Sequence, residues 1–427
     1  MKFPTGGNAQ PCEAREPASD GSEADPVRVR GRRLQSGWEK AVPRLLCGFF
    51  SLRSSPGALK GVAALVHDAH TDELYMSLAI DLSRRGEGTT SPNPVVGCVI
   101  VRDGVVVGTG FHERAGEPHA EIHALRAAGE QARDATAYVT LEPCNHYGRT
   151  PPCTEALIAA GVARVVVAVA DPDPNVAGAG IARLRAAGIE VLEGVLARQA
   201  ALANRRYLVE RAEKRPYVTL KVAASLDGRI ADVRGDSQWI TSEESREDAQ
   251  ELRRVHDAIL VGAGTVRADN PRLTYRGLGA RARPLVRVVL AGSGSLPASA
   301  RVFSRDAPTI VFSTQPVPVP AEVVVVKGYD DHRIDVARIL DELHERGITS
   351  VLVEGGATTA SAFLDAGFVD EIVWYGAPTI LGGDRGAYAG ARLLSGALSF
   401  ELHAIERLGP DLKVTAFREG MLERWDV

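Results

Sequence analysis

Cysteine is scarce in this chain: five residues in 427, an odd number. That makes no disulfide framework and fits a reducing, cytoplasmic setting. Long apolar runs are missing as well; Leu45–Leu52 falls far short of the ~18 residues a membrane span needs. There is no basic excess, with 50 Lys and Arg against 54 Asp and Glu and a formal charge of −4. A general nucleic-acid binder is therefore disfavoured. No charged-then-apolar signal peptide opens the chain. A transit peptide should be nearly free of acids, and Glu13, Glu16, Asp20, Glu23 and Asp25 argue against one. Neither an internal repeat nor a match between the two halves is visible.

What remains is 45% hydrophobic residues over a length that holds two or three domains, each able to bury a core. The first sixty residues stand apart. They are rich in Gly, Pro, Ser and Arg, carry ten basic and six acidic residues, and show no sustained period. Residues 1–70 read as a disordered extension, or as translation from too early a start. Cys12 and Cys47 belong to it, whereas Cys98 reads as core. Beyond it a helix is expected over Glu73–Arg85, then strands Val95–Val101 and Val105–Phe111 around an Asp103-Gly104 turn. Helices at Ala120–Ala132, Thr154–Ala160 and Ile181–Ala187 alternate with strands at Ala137–Leu141, Arg164–Ala170 and Glu190–Leu192. This pattern predicts a three-layer α/β domain over 71–213. A helical connector, Ala197–Glu213, leads to a boundary at Lys214-Arg215-Pro216. Residues 214–427 alternate again and predict a second α/β domain. Its strands are expected at Tyr217–Ala223, Ala258–Gly262, Val286–Leu290, Thr309–Phe312, Ser350–Val353 and Glu371–Tyr375. Its helices are expected near Glu243–Arg254, Asp335–Glu345 and Thr358–Ala366.

Pro118-His119-Ala120-Glu121 precedes a helix, Glu142-Pro143-Cys144 ends a strand, and Pro152-Cys153-Thr154 begins another helix. His-x-Glu followed by Pro-Cys and a further Cys is the pattern of zinc-dependent nucleobase deaminases. One imidazole and two thiolates, His119, Cys144 and Cys153, bind zinc tetrahedrally and leave a fourth position for water. Zinc lowers the pKa of that water toward ~7. Glu121 is expected to be catalytic rather than a ligand, taking the water's proton and passing it to the ring nitrogen and the leaving ammonia. Taken singly, each ligand has a plainer reading, a buried Cys or a surface His. Their order and their places on the predicted elements make the metal site. Eight residues separate Cys144 from Cys153, against two in the nucleic-acid editors. The insertion is expected to shape the substrate pocket.

The run Pro92-Asn93-Pro94-Val95-Val96-Gly97, the run Arg114 to Glu121, and Cys144 through Gly148-Arg149-Thr150-Pro151-Pro152-Cys153 carry a resemblance. They closely resemble the bifunctional riboflavin-biosynthesis deaminase/reductase family. The likeness continues through Asp171-Pro172 and spans about residues 72–420. It implies a cytidine-deaminase-like domain followed by a dihydrofolate-reductase-like one. It also implies hydrolytic deamination of 2,5-diamino-6-(5-phosphoribosylamino)pyrimidin-4(3H)-one. NADPH-dependent reduction of the ribosyl group would then give 5-amino-6-(5-phosphoribitylamino)uracil. Asn93, His112 and His146 are implied substrate contacts.

In the second half, Lys221 to Gly228 joins a strand to a loop, and Gly262-Ala263-Gly264-Thr265 ends a strand. Glu354-Gly355-Gly356-Ala357-Thr358 ends another and opens a helix, where a phosphate can approach backbone N–H groups. This is no dinucleotide fingerprint, since no Gly-x-Gly-x-x-Gly follows a first strand, and alone it reads as a tight loop. The resemblance implies that Ala223, Trp239, Thr265, Asp269 and the segment Gly356, Ala357, Thr358, Thr359, Ala360, Ser361 and Ala362 line NADPH. It implies that Ser237, Arg253, Leu273, Arg276 and Glu354 touch the phosphorylated substrate; guanidinium forks suit phosphate. Without it, Trp239 reads as a core aromatic, Lys221 as a solvated strand end and Asp227 as an Asp-Gly turn. Ser293 and Ser295 are candidate donors to the cofactor's 2′-phosphate. Relatives form dimers or tetramers, so a homo-oligomer is expected, with a small-molecule substrate and no nucleic-acid or membrane partner. The zinc motif lies before residue 154 and the nicotinamide motif after 216, so each site is expected to need nothing from the other half. A transfer-RNA editor would need a basic face and the short cysteine spacing. A non-catalytic zinc module would need neither Glu121 nor the glycine-rich second half. A one-activity relative would have one decayed site, and both look complete.

Overall fold

The computed structural model describes residues 69–427 apart from 148–150, 175, 280, 282, 327, 329–333 and 426–427. The expectation for the N-terminal extension, and for Cys12 and Cys47, lies outside these residues. Ala69 and His70, counted above with the extension, instead open the first helix, α1 (Ala69–Ser83). Its first-turn Asp72 is buried, takes both guanidinium nitrogens of Arg164 at 2.8 Å and accepts the Tyr138 hydroxyl at 2.8 Å.

The first sheet holds β1 (Gly97–Arg102), β2 (Val105–Phe111), β3 (Thr136–Val139), β4 (Arg164–Val167) and β5 (Glu190–Glu193) in the order β2-β1-β3-β4-β5. The β2-β1-β3 pairs are antiparallel and the β3-β4-β5 pairs parallel. Helix α2 (Ala120–Ala128), α3 (Cys153–Ala160) and α4 (Ala179–Ala186) fall between the strands. Glycines let the helices in. A Cβ on Gly97 would lie 1.9 Å from the Ala79 carbonyl of α1, and Cβ atoms on Gly108 and Gly110 would lie 2.3 Å from the Ala124 and Ala120 carbonyls of α2. Gly97 pairs with Phe111 and Gly110 with Cys98, so Gly97 and Gly110 face opposite sides of the sheet. Helices α1 and α2 therefore cover opposite faces, as the expected three-layer form requires. Cys98 is fully buried between them.

The connector is two helices rather than one, α5 (Ala197–Ala203) and α6 (Arg205–Glu213). Asn204 leaves the helical backbone between them, and its side-chain carbonyl accepts the Val95 N–H at 3.1 Å. Competition of this kind between an Asn side chain and the helix ladder is common.

The second sheet has nine strands. They are β6 (Tyr217–Ser225), β7 (Ala258–Gly262), β8 (Val286–Gly292), β9 (Thr309–Ser313), β10 (Glu322–Val325), β11 (Ser350–Val353), β12 (Glu371–Ala377), β13 (Phe400–Leu408) and β14 (Asp411–Arg418). Their order is β10-β9-β8-β7-β11-β6-β12-β14-β13, parallel up to β12 and antiparallel beyond it. Helices α7 (Glu243–Val255), α8 (Ala263–Asp269), α9 (Val336–Glu345) and α10 (Ala357–Asp365) connect them. The sequence pattern missed β10, α8 and the β13–β14 hairpin. Glycine depresses helix propensity at the start of α8. A bulge at His403 shifts the β13 register and erases its alternation. The carboxyl ends of β6, β7 and β11 lie side by side; the chain leaves β7 directly into α8, and β11 through Glu354, Gly355 and Gly356 into α10. Ligands bind open parallel sheets at such an edge. No helix among the described residues is long and apolar enough to cross a membrane.

Candidate active sites

Between α2 and α3 the structure gathers His119, Cys144 and Cys153, whose candidate ligand atoms all lie within 4.8 Å of one another. His119 is the N-cap of α2, and Cys153 is the first residue of α3. Cys144 follows the sheet on a loop held by Glu142. Its carboxylate accepts four backbone N–H groups, from Asp171 (3.2 Å), Gly178 (3.0 Å), Gly180 (2.8 Å) and Ile181 (3.2 Å). A Cβ on Gly180 would lie 2.1 Å from the Pro143 carbonyl, so only glycine lets α4 sit against this loop. His119 Nδ1 is 3.3 Å from Cys153 Sγ and 3.6 Å from Cys144 Sγ, and the Cys153 N–H points at Cys144 Sγ from 3.4 Å. The Cys153 thiol, His119 and that N–H draw the Cys144 thiol down to about 4, while Cys153 is pushed up. One thiolate is thus already favoured where two would face a cation.

Glu121 sits on the first turn of α2, 3% exposed, and its Oε2 is buried without a hydrogen-bond partner. Burial raises its carboxyl. An orphaned buried carboxylate oxygen costs free energy unless something fills the pocket. Three soft and borderline donors beside an unsatisfied acceptor fit zinc with a water.

His112 packs edge-on against His119, ring centroids 5.3 Å apart. Its Nδ1 lies 3.1 Å from the Pro118 carbonyl, which can only accept, so the proton is on Nδ1. Nε2 must then accept from Asn93 Nδ2 at 3.2 Å, which turns Asn93 Oδ1 the other way. Burial lowers the His112 imidazole, which favours the neutral ring. His146 is exposed at the rim, and the adjacent 148–150 lie outside the described residues.

The second site lies along the β6, β7 and β11 ends. Arg253 on α7 grips Glu354 with two bonds, Nε to Oε1 at 2.8 Å and Nη2 to Oε2 at 2.9 Å, and its Nη1 donates to the Thr274 carbonyl at 3.3 Å. Lys221 Nζ lies 3.9 Å from Glu354 Oε2 and over the Tyr375 ring. Burial lowers this lysine, and the same burial would raise Glu354, but Arg253 and Lys221 hold the carboxyl at about 2. Lys221 is therefore a half-buried member of the site, not a solvated strand end. Asp227 is more than a turn residue: it accepts the Ser225 hydroxyl at 2.6 Å and the Leu381 and Gly382 N–H groups at 3.1 and 2.8 Å. Each guanidinium nitrogen of Arg253 donates to a protein group, whereas Arg276 is exposed. Leu273 is buried with φ at +51°.

The glycines divide by role. Cβ atoms on Gly262 and Gly355 would collide with the Thr359 side chain at 2.6 and 2.5 Å, so these two permit close packing. Gly264 has open space there, and nothing but Thr265 Oγ1, at 3.9 Å, approaches Gly356. The N-cap Gly356 offers no side-chain cap to the first-turn N–H groups of α10. Thr359, Ala360 and Ser361 are buried, and Ser361 Oγ accepts the Ala389 N–H at 2.8 Å. Elsewhere in the Gly356–Ala362 segment, Thr358 and Ala362 are exposed and Gly356 and Ala357 partly so. Ser237 donates to Asp269 at 3.2 Å. Trp239 is 69% exposed with the Arg246 guanidinium over its ring, so it is no core aromatic. Ala223 is half-buried at the β6 end. Arg267 on α8, not singled out in the sequence, donates to the Ser295 carbonyl at 3.0 Å, while the Ser293 carbonyl accepts Gln315 Nε2 at 3.3 Å.

Two family models match the chain. Residues 69–169 match the cytidine and deoxycytidylate deaminase zinc-binding region, and residues 216–414 match the RibD C-terminal domain. The riboflavin biosynthesis protein RibD of Bacillus amyloliquefaciens is 46% identical over 356 residues, covering 81% of this chain and 96% of its own length. That of Escherichia coli is 45% identical over 359 residues, covering 80% and 98%. The Thermotoga maritima diaminohydroxyphosphoribosylaminopyrimidine deaminase/5-amino-6-(5-phosphoribosylamino)uracil reductase has a similar solved structure. Its TM-score is 0.75 at 39% identity, over 82% of this chain and all of that one.

Proposed function

This chain belongs to the RibD family and is a bifunctional deaminase/reductase of riboflavin biosynthesis, and from that premise we propose how its two sites divide the work. The deaminase site takes 2,5-diamino-6-(5-phosphoribosylamino)pyrimidin-4(3H)-one. His119, Cys144 and Cys153 hold zinc, which when bound supplies a Lewis acid that makes water a nucleophile near neutral pH. Glu121 Oε2 would accept one proton from the attacking water and pass it to the ring nitrogen, then take the second from the hydroxyl on the tetrahedral carbon and pass it to the amino group, which leaves as ammonia. Asn93 Oδ1, fixed by His112, accepts from the pyrimidine, and His146 closes the rim. The observation that carries this reading is the buried, unpartnered Glu121 Oε2 beside the three ligands.

The reductase site, within a domain spanning 214–427, takes the resulting aminouracil and opens its ribosyl ring to a ribityl chain. NADPH supplies the hydride to C1′. The open space at Gly264 and Gly356, rimmed by Thr265 and the α10 first turn, suits a pyrophosphate. Ala223, Trp239 and Asp269 complete the cofactor side. Ser237, Leu273, Arg276 and the Arg253–Glu354 pair form the substrate side, with Arg276 the guanidinium still available to phosphate. Arg267 beside Ser293 and Ser295 favours a 2′-phosphate, hence NADPH over NADH.

The enzyme works in the cytoplasm as a homo-oligomer. Leu402, Ile405 and Leu412 share one face of β13 and β14, by pairing Leu402 with Ala416, Ile405 with Val414 and Arg407 with Leu412. They are 58%, 61% and 48% exposed; a second copy is the occupant this apolar face fits. The direct test of function is a coupled assay with the diaminopyrimidine phosphate. Ammonia release should precede and equal NADPH oxidation. Ammonia without oxidation, or neither, would refute the two-step reading.

A further inference from the structure

The loop that carries Asn93 is tied to its own domain at Thr89, Asn93 and Val95, and to the reductase half between them. It runs from the turn Arg84–Gly86 at the end of α1 to β1 and lies against the amino end of β7 and the carboxyl end of α7. Arg254 donates to the Glu87 carbonyl, and Gly88 sits so close to Arg254 that a Cβ there would meet its carbonyl at 2.9 Å. The firmest tie is at Ser91, two residues before Asn93. Its hydroxyl donates to Asp257 Oδ1 at 2.8 Å and Oδ2 at 3.0 Å and accepts from Arg283 Nη2 at 2.8 Å. Asp257 is 7% exposed. It is itself fixed by the Thr349 N–H and hydroxyl at 2.9 and 2.7 Å and by Arg283 at 2.9 Å.

These contacts form a short mechanical chain. Asp257 holds Ser91, the loop holds Asn93, and Asn93 meets His112, whose ring packs on the ligand His119. We propose that Asp257, a residue of the reductase half, is a positioning residue for the deamination reaction. It fixes the substrate loop so that Asn93 presents its carbonyl oxygen to the pyrimidine. The sequence pattern led us to expect each site to need nothing from the other half; on this proposal the deaminase draws Asp257 from it. Asp257 stands at the amino end of β7, opposite the end that carries Gly262 and the cofactor loops, so its role is separable from reduction. The charged acceptor and the paired arginine make the anchor stiffer than a neutral hydrogen bond. Misplacement of a substrate contact by about 1 Å can cost roughly 10²-fold in rate.

The inference rests on the assignment of deamination to the His119–Cys144–Cys153 site, and that assignment fails separately if the wild-type enzyme releases no ammonia. The test uses full-length, metal-loaded enzyme carrying Ser91→Ala, Ser91→Thr or Asp257→Asn. Ser91→Ala leaves Asp257 with Thr349 and Arg283, so folding is spared. Deamination kcat/KM should fall about ten- to a hundred-fold in Ser91→Ala and Asp257→Asn, chiefly through KM. Ser91→Thr, which keeps the hydroxyl, should recover most of it. Reduction of the already deaminated substrate should stay within about two-fold, and the visible spectrum of the cobalt-substituted enzyme should not change. Wild-type deamination by Ser91→Ala would overturn the proposal. So would parallel loss of both half-reactions, or an altered cobalt spectrum.

Discussion

Replacing Glu354 by glutamine keeps the shape of the side chain at the heart of the reductase site and removes its charge. Arg253 and Glu354 are only 13% and 10% exposed, so solvent screens the pair weakly. The Glu354 carboxyl is held at about 2 against an ordinary 4.5. That gap corresponds to about 3 kcal/mol of native-state stabilisation at neutral pH. The cost of removing one partner from a buried pair, roughly 3–5 kcal/mol, is of the same size. The sign follows from the lowered carboxyl. Its stabilisation is complete above about pH 4.5, shrinks as pH falls, and vanishes near pH 2. Urea denaturation of the wild type and Glu354→Gln should therefore differ by about 3 kcal/mol at pH 7 and converge in acid. Reduction kcat/KM should collapse while ammonia release continues, because neither the zinc ligands nor Glu121 touches this pair. Equal stability at pH 7, or a difference that grows in acid, would refute the electrostatic account. Loss of ammonia release alongside reduction would refute the separation of the two chemistries.

Glu121→Gln should keep about one zinc per chain and lose roughly 10²–10⁴-fold in deamination, the range for lost general acid–base catalysis, while reduction of the deaminated substrate proceeds; metal analysis with both half-reactions checks this, and zinc loss would show Glu121 to be a ligand. Deleting residues 1–65 should leave both activities within a few-fold, since that composition buries too little apolar surface to offset ordering; loss of folding or zinc on truncation would contradict it. NADPH should be preferred to NADH in kcat/KM, and Arg267→Ala should narrow the preference; comparable values for the two cofactors in the wild type would sink the 2′-phosphate assignment.

The deaminase centre was legible in the sequence because its chemistry is local. His119 and Glu121 sit two residues apart at a helix start, and the order of the cysteines fixes which element ends they occupy. Strands Ala258–Gly262 and Ser350–Val353 also stood out as short apolar runs bounded by turn signals, the pattern of fully buried parallel strands. The second site resisted such reading. Lys221, Arg253 and Glu354 are more than a hundred residues apart at the extremes and meet only because β6 and β11 become neighbours in the sheet. Trp239 is bare rather than buried, and no local pattern distinguishes the two. The edge strand β13 hid behind its bulge, and α8 behind its glycines. Sequence alone also suggested two self-sufficient halves. Motif positions say where ligands start and stop, not what holds a loop in place. That Ser91 is anchored by Asp257 depends on the docking of the loop against the end of β7, and only the folded chain brings those two residues, 166 positions apart, within hydrogen-bond reach.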